Sequence, residues 1–351
     1  MKIKIAIVGA GRWGTNLIRN FLKHPQAEVV AVVDSSPERL IDCLQKFNLD
    51  ENLVTLTTEW EKVREQKDID GVVVATPAST HFPLIADALR LGYHVLAEKP
   101  LTLDPAECLE LIRLAEINQK QLLVDHTYLF NSVVEKGEQI VKKGELGELR
   151  YGYASRTNLG PVRQDVDALW DLAIHDVAIF NYWLGETPIE VQATGKVWLQ
   201  NDKGMGALVN GLTDLNWITL TYANGFQAYI HVCWLNPDKQ RKLTVVGSKG
   251  SLIFDELAID TPLILQRGYF EQEGEHFIPA GLSKEVIEVE KKEPLRTVCD
   301  RFITNIIEQK PSVDTGKLGA QLVQILICLS QSLQQNGKVI TVPQLPNEKQ
   351  F

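Results

Sequence analysis

Cysteine is sparse and scattered in this chain. Cys43, Cys108, Cys233, Cys299 and Cys328 are odd in number, and none stands in a CxxC or other metal-ligand spacing. That argues against a disulfide-built scaffold and a structural metal, and predicts reduced, mostly buried thiols in a cytoplasmic protein. Long apolar runs are missing too: no stretch approaches the roughly 18 residues of a membrane span. Met1-Lys2-Ile3-Lys4-Ile5 runs straight into a strand pattern, without the longer apolar segment of a signal peptide. Positive charge is outweighed, with 36 Lys and Arg against 45 Asp and Glu and a formal net charge of -9. Nucleic acid and anionic membrane are disfavoured as main partners. A small anionic molecule in a local basic pocket is not. Neither internal repeats nor a low-complexity linker occur.

What is present is an ordinary globular composition, 44% hydrophobic and 23% charged, over 351 residues. That length is long for one core and suits two domains. In the first part, strands are predicted at 3–8, 29–33, 53–56, 72–75, 93–97 and 121–124. They alternate with helices at 13–23, from Pro37, at 82–91 and at 104–118, the last capped by Asp104. This alternation predicts an α/β class, Rossmann-type, doubly wound parallel sheet over 1–125. After residue 125 helices are predicted at 132–143, 169–184, 295–308 and 316–335. Strands are predicted at 149–156, 216–222, 226–235, 242–246 and 251–255, with Asn224-Gly225 as a hairpin signal. The expectation for 126–351 is an α+β domain, a mainly antiparallel open sheet with helices on one face.

Gly9-Ala10-Gly11-Arg12-Trp13-Gly14 fits GxGxxG between a strand and a helix. In that context glycines allow a tight turn and close approach to a pyrophosphate at a helix N-terminus. Asp34 ends the second strand, about 20 residues further on, where a carboxylate takes ribose hydroxyls. It would repel a 2′-phosphate, so NAD is favoured over NADP. Ser35 adjoins it, and Arg39 can fold back onto an adenine or a phosphate. Ala75-Thr76-Pro77 ends the fourth strand at the edge where open α/β sheets bind ligands. His81 follows at a helix start, and its two readings, cofactor contact or simple helix-start residue, both stand.

Glu98-Lys99-Pro100 directly follows the strand His94-Val95-Leu96-Ala97. Lys is ordinarily a solvated surface residue. Here the strand-end position, the preceding Glu98 and the backbone-restricting Pro100 point to a lysine held at the ligand edge. A positively charged nicotinamide beside it would lower its proton affinity, suiting it to proton transfer or to polarising an oxygen.

In the second half, Asp171 and His175 lie four apart after Trp170 on a predicted helix and share one face. Removing hydride from a carbinol needs a base for the hydroxyl proton, and His suits that role. A satisfied core histidine with Asp171 as a cap is the competing reading. The preceding polar loop carries Arg156, Asn158 and Arg163, and a guanidinium recognises carboxylate or phosphate as a fork. A substrate with anionic or hydroxyl-rich parts and a plain solvated loop are both compatible with it.

With these residues placed, the chain resembles the glucose–fructose oxidoreductase/inositol dehydrogenase (Gfo/Idh/MocA) family over essentially its whole length. The marks are the glycine motif, Thr76-Pro77 with His81, Glu98-Lys99-Pro100 and Asp171-x3-His175. The resemblance implies a C-terminal sheet that mediates oligomer contacts, as a homodimer or homotetramer. It implies Lys99 and His175 as the catalytic pair, with Asp171 aiding substrate binding or orienting His175. Residues 151–176, 231–242 and 246–250 look like members acting on sugar nucleotides such as UDP-N-acetylglucosamine. Inositol or free-sugar dehydrogenase is the alternative, and a NAD-binding regulator without turnover is the reading from another class.

Overall fold

The computed structural model describes residues 2–64, 66, 68–200 and 211–345, which form two compact units. The first comprises Met1–Thr127 together with Lys292–Val323, and the second Tyr128–Lys291 with Gln324–Leu345. The segment from Lys292, placed by sequence in the second domain, thus contributes largely to the first.

The first unit is a six-stranded parallel sheet built from β1 (Ile3–Val8), β2 (Ala27–Val33), β3 (Thr55–Thr57), β4 (Gly71–Val74), β5 (His94–Glu98) and β6 (Leu122–Asp125). Its order is β3-β2-β1-β4-β5-β6, so the chain reverses direction beside β1, where such sheets open a ligand crevice. Ile5, Ala6, Ile7, Val73, Leu96 and Val124 are fully buried, because helices cover both faces of a parallel sheet. Those helices are α1 (Gly14–Lys23), α2 (Pro37–Phe47), α3 (Glu61–Arg64), α4 (His81–Arg90) and α5 (Pro105–Ile117). Ser36 and Asp104 cap α2 and α5 by accepting from the N–H groups of Arg39 and Ala106, each with Pro at the first helical position.

The returning segment completes this unit. Ser312 O accepts from Leu122 N–H at 3.1 Å, and Thr315 Oγ1 accepts from Val124 N–H at 2.9 Å. On α8 (Pro294–Ile307), Phe302 is fully buried with its ring centroid 6.3 Å from that of Phe21. The next helix, α9 (Asp314–Gln334), begins in the first unit and ends in the second.

The second unit holds α6 (Ser132–Lys142), α7 (Ile174–Leu184) and a nine-stranded sheet. Its strands are β7 (Leu149–Leu159), β8 (Glu190–Lys196), β9 (Leu215–Thr221), β10 (Gln227–Cys233), β11 (Leu235–Gly247), β12 (Gly250–Asp255), β13 (Leu263–Glu273), β14 (His276–Val286) and β15 (Ile340–Thr341). The order is β14-β13-β12-β11-β7-β10-β9-β8-β15, and β7 with β10 is the only parallel pair among the described residues. Residues alternate across the sheet: Ala154, Ala228, Ile230 and Leu220 are buried, while Tyr151, Tyr153, Tyr229 and Trp217 are exposed. The Asn224-Gly225 turn forms as expected, with Gly225 at φ 85° and Asn224 Oδ1 accepting from Phe226 N–H.

Several elements depart from the sequence expectation. The helix expected over 169–184 begins as a π-type turn, Leu169–Ala173, before α7. The strand expected at 242–246 extends back to Leu235 across a bulge between Leu235 and Gln240. β8, β13 and β14 were not anticipated. Gly268, Pro279 and Gly281 break the strand pattern there, and β14 tolerates its proline because it is an edge strand.

Candidate active site

The glycine loop leaves β1 and enters α1 with the three glycines in different roles. Gly9 sits at φ 105°, and a Cβ there would lie 2.4 Å from Ala75 O; at Gly14 it would lie 2.0 Å from Gly9 O. These two glycines let backbones touch. At Gly11 the nearest atom to an added Cβ is an Arg39 nitrogen at 3.9 Å, so that face of the loop is open. Trp13, which precedes α1, gives it no side-chain cap, which leaves the helix's N-terminal dipole directed at the loop. Asp34, 6% exposed, ties the loop to the end of β2: its Oδ2 accepts from Ala10 N–H at 2.7 Å and its Oδ1 from Ser36 N–H at 2.9 Å. Arg39 approaches Oδ1 at 3.6 Å, and Ser35 is exposed beside it. A carboxylate oxygen accepts more than one hydrogen bond, so both retain capacity for ribose hydroxyls. A cavity of about 640 Å³ opens here, lined by Ala10, Gly11, Arg12, Thr15, Arg39 and Lys46 among others. An open glycine face, an uncapped helix start and a strand-end carboxylate fit a dinucleotide.

Further along the same sheet edge, Lys99 follows β5 and is partly buried. The Lys99–Pro100 peptide is cis. His81 is 1% exposed, with Nδ1 2.9 Å from Pro100 O and Nε2 2.9 Å from Thr76 O. It therefore joins the Ala75-Thr76-Pro77 turn to the lysine loop, and both ring nitrogens are taken by backbone. This corrects the reading of His81 as a cofactor contact: it positions the two loops. Next to β5, Asp125 ends β6 and is 1% exposed, followed by His126, whose burial pushes its pKa down to about 3.

In the second unit His175 is the second residue of α7, partly buried, with its ring centroid 4.8 Å from that of Tyr128. Tyr128 lies over the Arg156 guanidinium at 4.5 Å and donates to Glu256 Oε2 at 2.6 Å. Burial pushes its hydroxyl up to about 12, so it stays a donor at neutral pH. Arg156 forms a bidentate pair with Asp176, at 2.9 and 2.8 Å, and donates to the Tyr128 hydroxyl at 2.6 Å. Arg156 and Asp176 are 2% and 1% exposed. Asp171, in the π-type turn, accepts from Arg163 at 3.2 Å, and Arg163 also grips Asp165. His175 thus stands on a frame of paired buried charges.

Several site expectations change accordingly. Arg156 does not present an anion-binding fork, because Asp176 fills it. Asn158 is 9% exposed, donating to Gly160 O at 2.7 Å and accepting from Arg241. Trp170 is a core residue whose indole N–H donates to Ser330 Oγ at 3.0 Å. Arg163 keeps partial exposure but faces two carboxylates of its own unit. Tyr128, Asp176 and Asp125 were missed. For Asp125 through Tyr128 the signal was available: they follow the last parallel strand at the ligand edge, as Lys99 follows β5. Asp176 had none beyond its place beside His175.

The comparisons agree with this geometry. Residues 3–126 match the family described as an oxidoreductase family with a NAD-binding Rossmann fold, and residues 134–253 match the GFO/IDH/MocA C-terminal domain. The UDP-N-acetylglucosamine 3-dehydrogenase of Acidithiobacillus ferrooxidans is 27% identical over 273 residues, 76% of this chain and 81% of that protein. The inositol 2-dehydrogenase of Rhizobium meliloti is 26% identical over 260 residues, 72% and 75% of the two chains. The solved aldose–aldose oxidoreductase of Caulobacter crescentus shares the fold with a TM-score of 0.78 at 20% identity, over 97% of this chain and 100% of that one. With a NAD cradle at one sheet edge and both halves matched, the chain belongs to the Gfo/Idh/MocA family of NAD-binding oxidoreductases.

Proposed function

We propose that the chain is a NAD-dependent dehydrogenase acting on a secondary hydroxyl of a sugar or sugar nucleotide. The observation that carries this is Lys99 at the same sheet edge as the open glycine cradle. Gly11, Asp34 and the N-terminus of α1 would hold the cofactor, with Ala75 and Thr76 beside the loop. NAD, when bound, supplies a two-electron acceptor. Lys99 places its ammonium against the reacting oxygen, and His175 takes the hydroxyl proton as a general base. Asp171, held by Arg163, orients substrate or His175. A second reading, inositol or free-sugar dehydrogenase, draws on the internal pairing of Arg156 and Arg163, which occupies the two guanidinium forks that an anionic substrate group would need.

NAD reduction assayed against UDP-sugars, inositols and free hexoses separates these readings. Turnover restricted to UDP-sugars supports the first, turnover restricted to inositols or hexoses the second. Silence across the panel, with no nucleotide retained on the protein, favours a binding regulator and rejects both. Lys99→Ala is expected to keep NADH binding and lose at least about a hundredfold in turnover, the lower scale of general acid–base catalysis. Near-normal turnover would remove Lys99 from the mechanism.

Exposed Tyr151, Tyr153, Trp217 and Tyr229 on one sheet face support a homo-oligomer, which light scattering would test. No helix among the described residues is long and apolar enough to cross a membrane, and the scattered thiols support a cytoplasmic setting.

A further inference from the structure

Glu98 and Asp125 are register neighbours at the carboxyl ends of β5 and β6, so their side chains leave the sheet on the same face. They are 8% and 1% exposed. Glu98 Oε2 accepts from Lys99 N–H at 3.3 Å, and Asp125 Oδ1 accepts from the Thr127 hydroxyl at 2.8 Å. Their other oxygens, Glu98 Oε1 and Asp125 Oδ2, are buried with no donor from another group. Two ionised carboxylates cannot both remain in that position, since each would face a like charge in a low-dielectric site with an oxygen unsatisfied. One proton between them satisfies both oxygens.

We propose that Glu98 and Asp125 share a single proton and act as a positioning pair for Lys99, presenting it with one negative charge. The two carboxyls interact electrostatically with each other and with Lys99. Burial, then the neighbouring Asp125 charge, raises the Glu98 carboxyl well above the usual range, which places the proton on Glu98. The other titratable groups facing the pair add no competing charge. His126 is neutral, held low by burial, and the Cys299 thiol of α8 is raised by burial and stays protonated. Lys99 is then the cation that the pair answers.

This inference rests on Lys99 as the working lysine, and its test has one arm independent of that. Infrared spectra of the full chain at neutral pH should show a protonated-carboxyl C=O stretch that disappears in Glu98→Gln. In the pH–turnover profile, Asp125→Asn should move a limb by about 1–3 units, the scale of losing one neighbouring charge. Glu98→Gln, which mimics the protonated acid, should move it less. Absence of the band, failure of Glu98→Gln to fold, or equal shifts in the two variants would overturn the shared proton. A persistent band together with a fully active Lys99→Ala would keep the pair and discard the lysine assignment instead.

Discussion

Replacing Gly9 with Ala would put a Cβ 2.4 Å from a carbonyl oxygen on a backbone at φ 105°, whereas at Gly11 the same atom meets nothing closer than 3.9 Å. Gly9→Ala should therefore cost about 2 kcal/mol or more of stability, and Gly11→Ala less than about 0.5. Gly11→Ala should instead weaken NADH by about tenfold, because its methyl occupies the face meant for the pyrophosphate. Urea unfolding and NADH titration of both variants check this together. His94 offers a second residue-scale test. Its Nδ1 accepts from Gln121 N–H at 3.1 Å, and burial, aided by Lys120, lowers its pKa to about 4. Below pH 6.5 the unfolded chain takes up a proton that the folded ring refuses, so this contribution to stability falls as pH drops toward 4. Between pH 7 and pH 5 the loss is about 1–2 kcal/mol for a partly exposed ring. His94→Gln should lack it, and urea unfolding at the two pH values would show equal slopes of loss if the assignment is mistaken.

Among elements, β7 and α7 are coupled by the Arg156–Asp176 pair, both members nearly fully buried. Asp176→Ala strands a buried guanidinium and should cost about 3–5 kcal/mol, read by denaturant unfolding. Tyr128→Phe keeps the ring against His175 and should cost less, leaving the Glu256 carboxylate to water. What was legible beforehand follows from such contacts. β1, β4 and β5 were readable because a strand buried on both faces must be an unbroken apolar run. The place of Lys99 at the ligand edge was readable because it directly follows an apolar strand and precedes a proline. Arg156 was not, because its carboxylate partner is 20 residues away and only folding shows that the fork is filled. β14 was hidden by Pro279, a residue that signals a break everywhere except on a sheet edge.

For the molecule as a whole, the first unit needs a segment synthesised after most of the second. Leu295, Val298, Phe302 and Ile303 of α8 are 5% exposed or less. At about 1.5–3 kcal/mol per buried apolar side chain, their loss approaches the total of about 5–15 kcal/mol that holds a domain. A fragment ending at Thr127 should therefore fail to fold cooperatively, and linking residues 292–323 to it should restore a thermal transition and NADH binding. Circular dichroism melts of the two fragments would decide it, and a cooperative melt of the shorter one would refute the dependence. The same interleaving has a consequence for biosynthesis. At about 5–20 residues per second, the β6 edge waits roughly 10–40 s after its own synthesis for Ser312 and Thr315 to arrive. A nascent chain of this protein carries an unfinished nucleotide-binding sheet through most of translation, and that interval is when a holding chaperone at the ribosome exit would matter most.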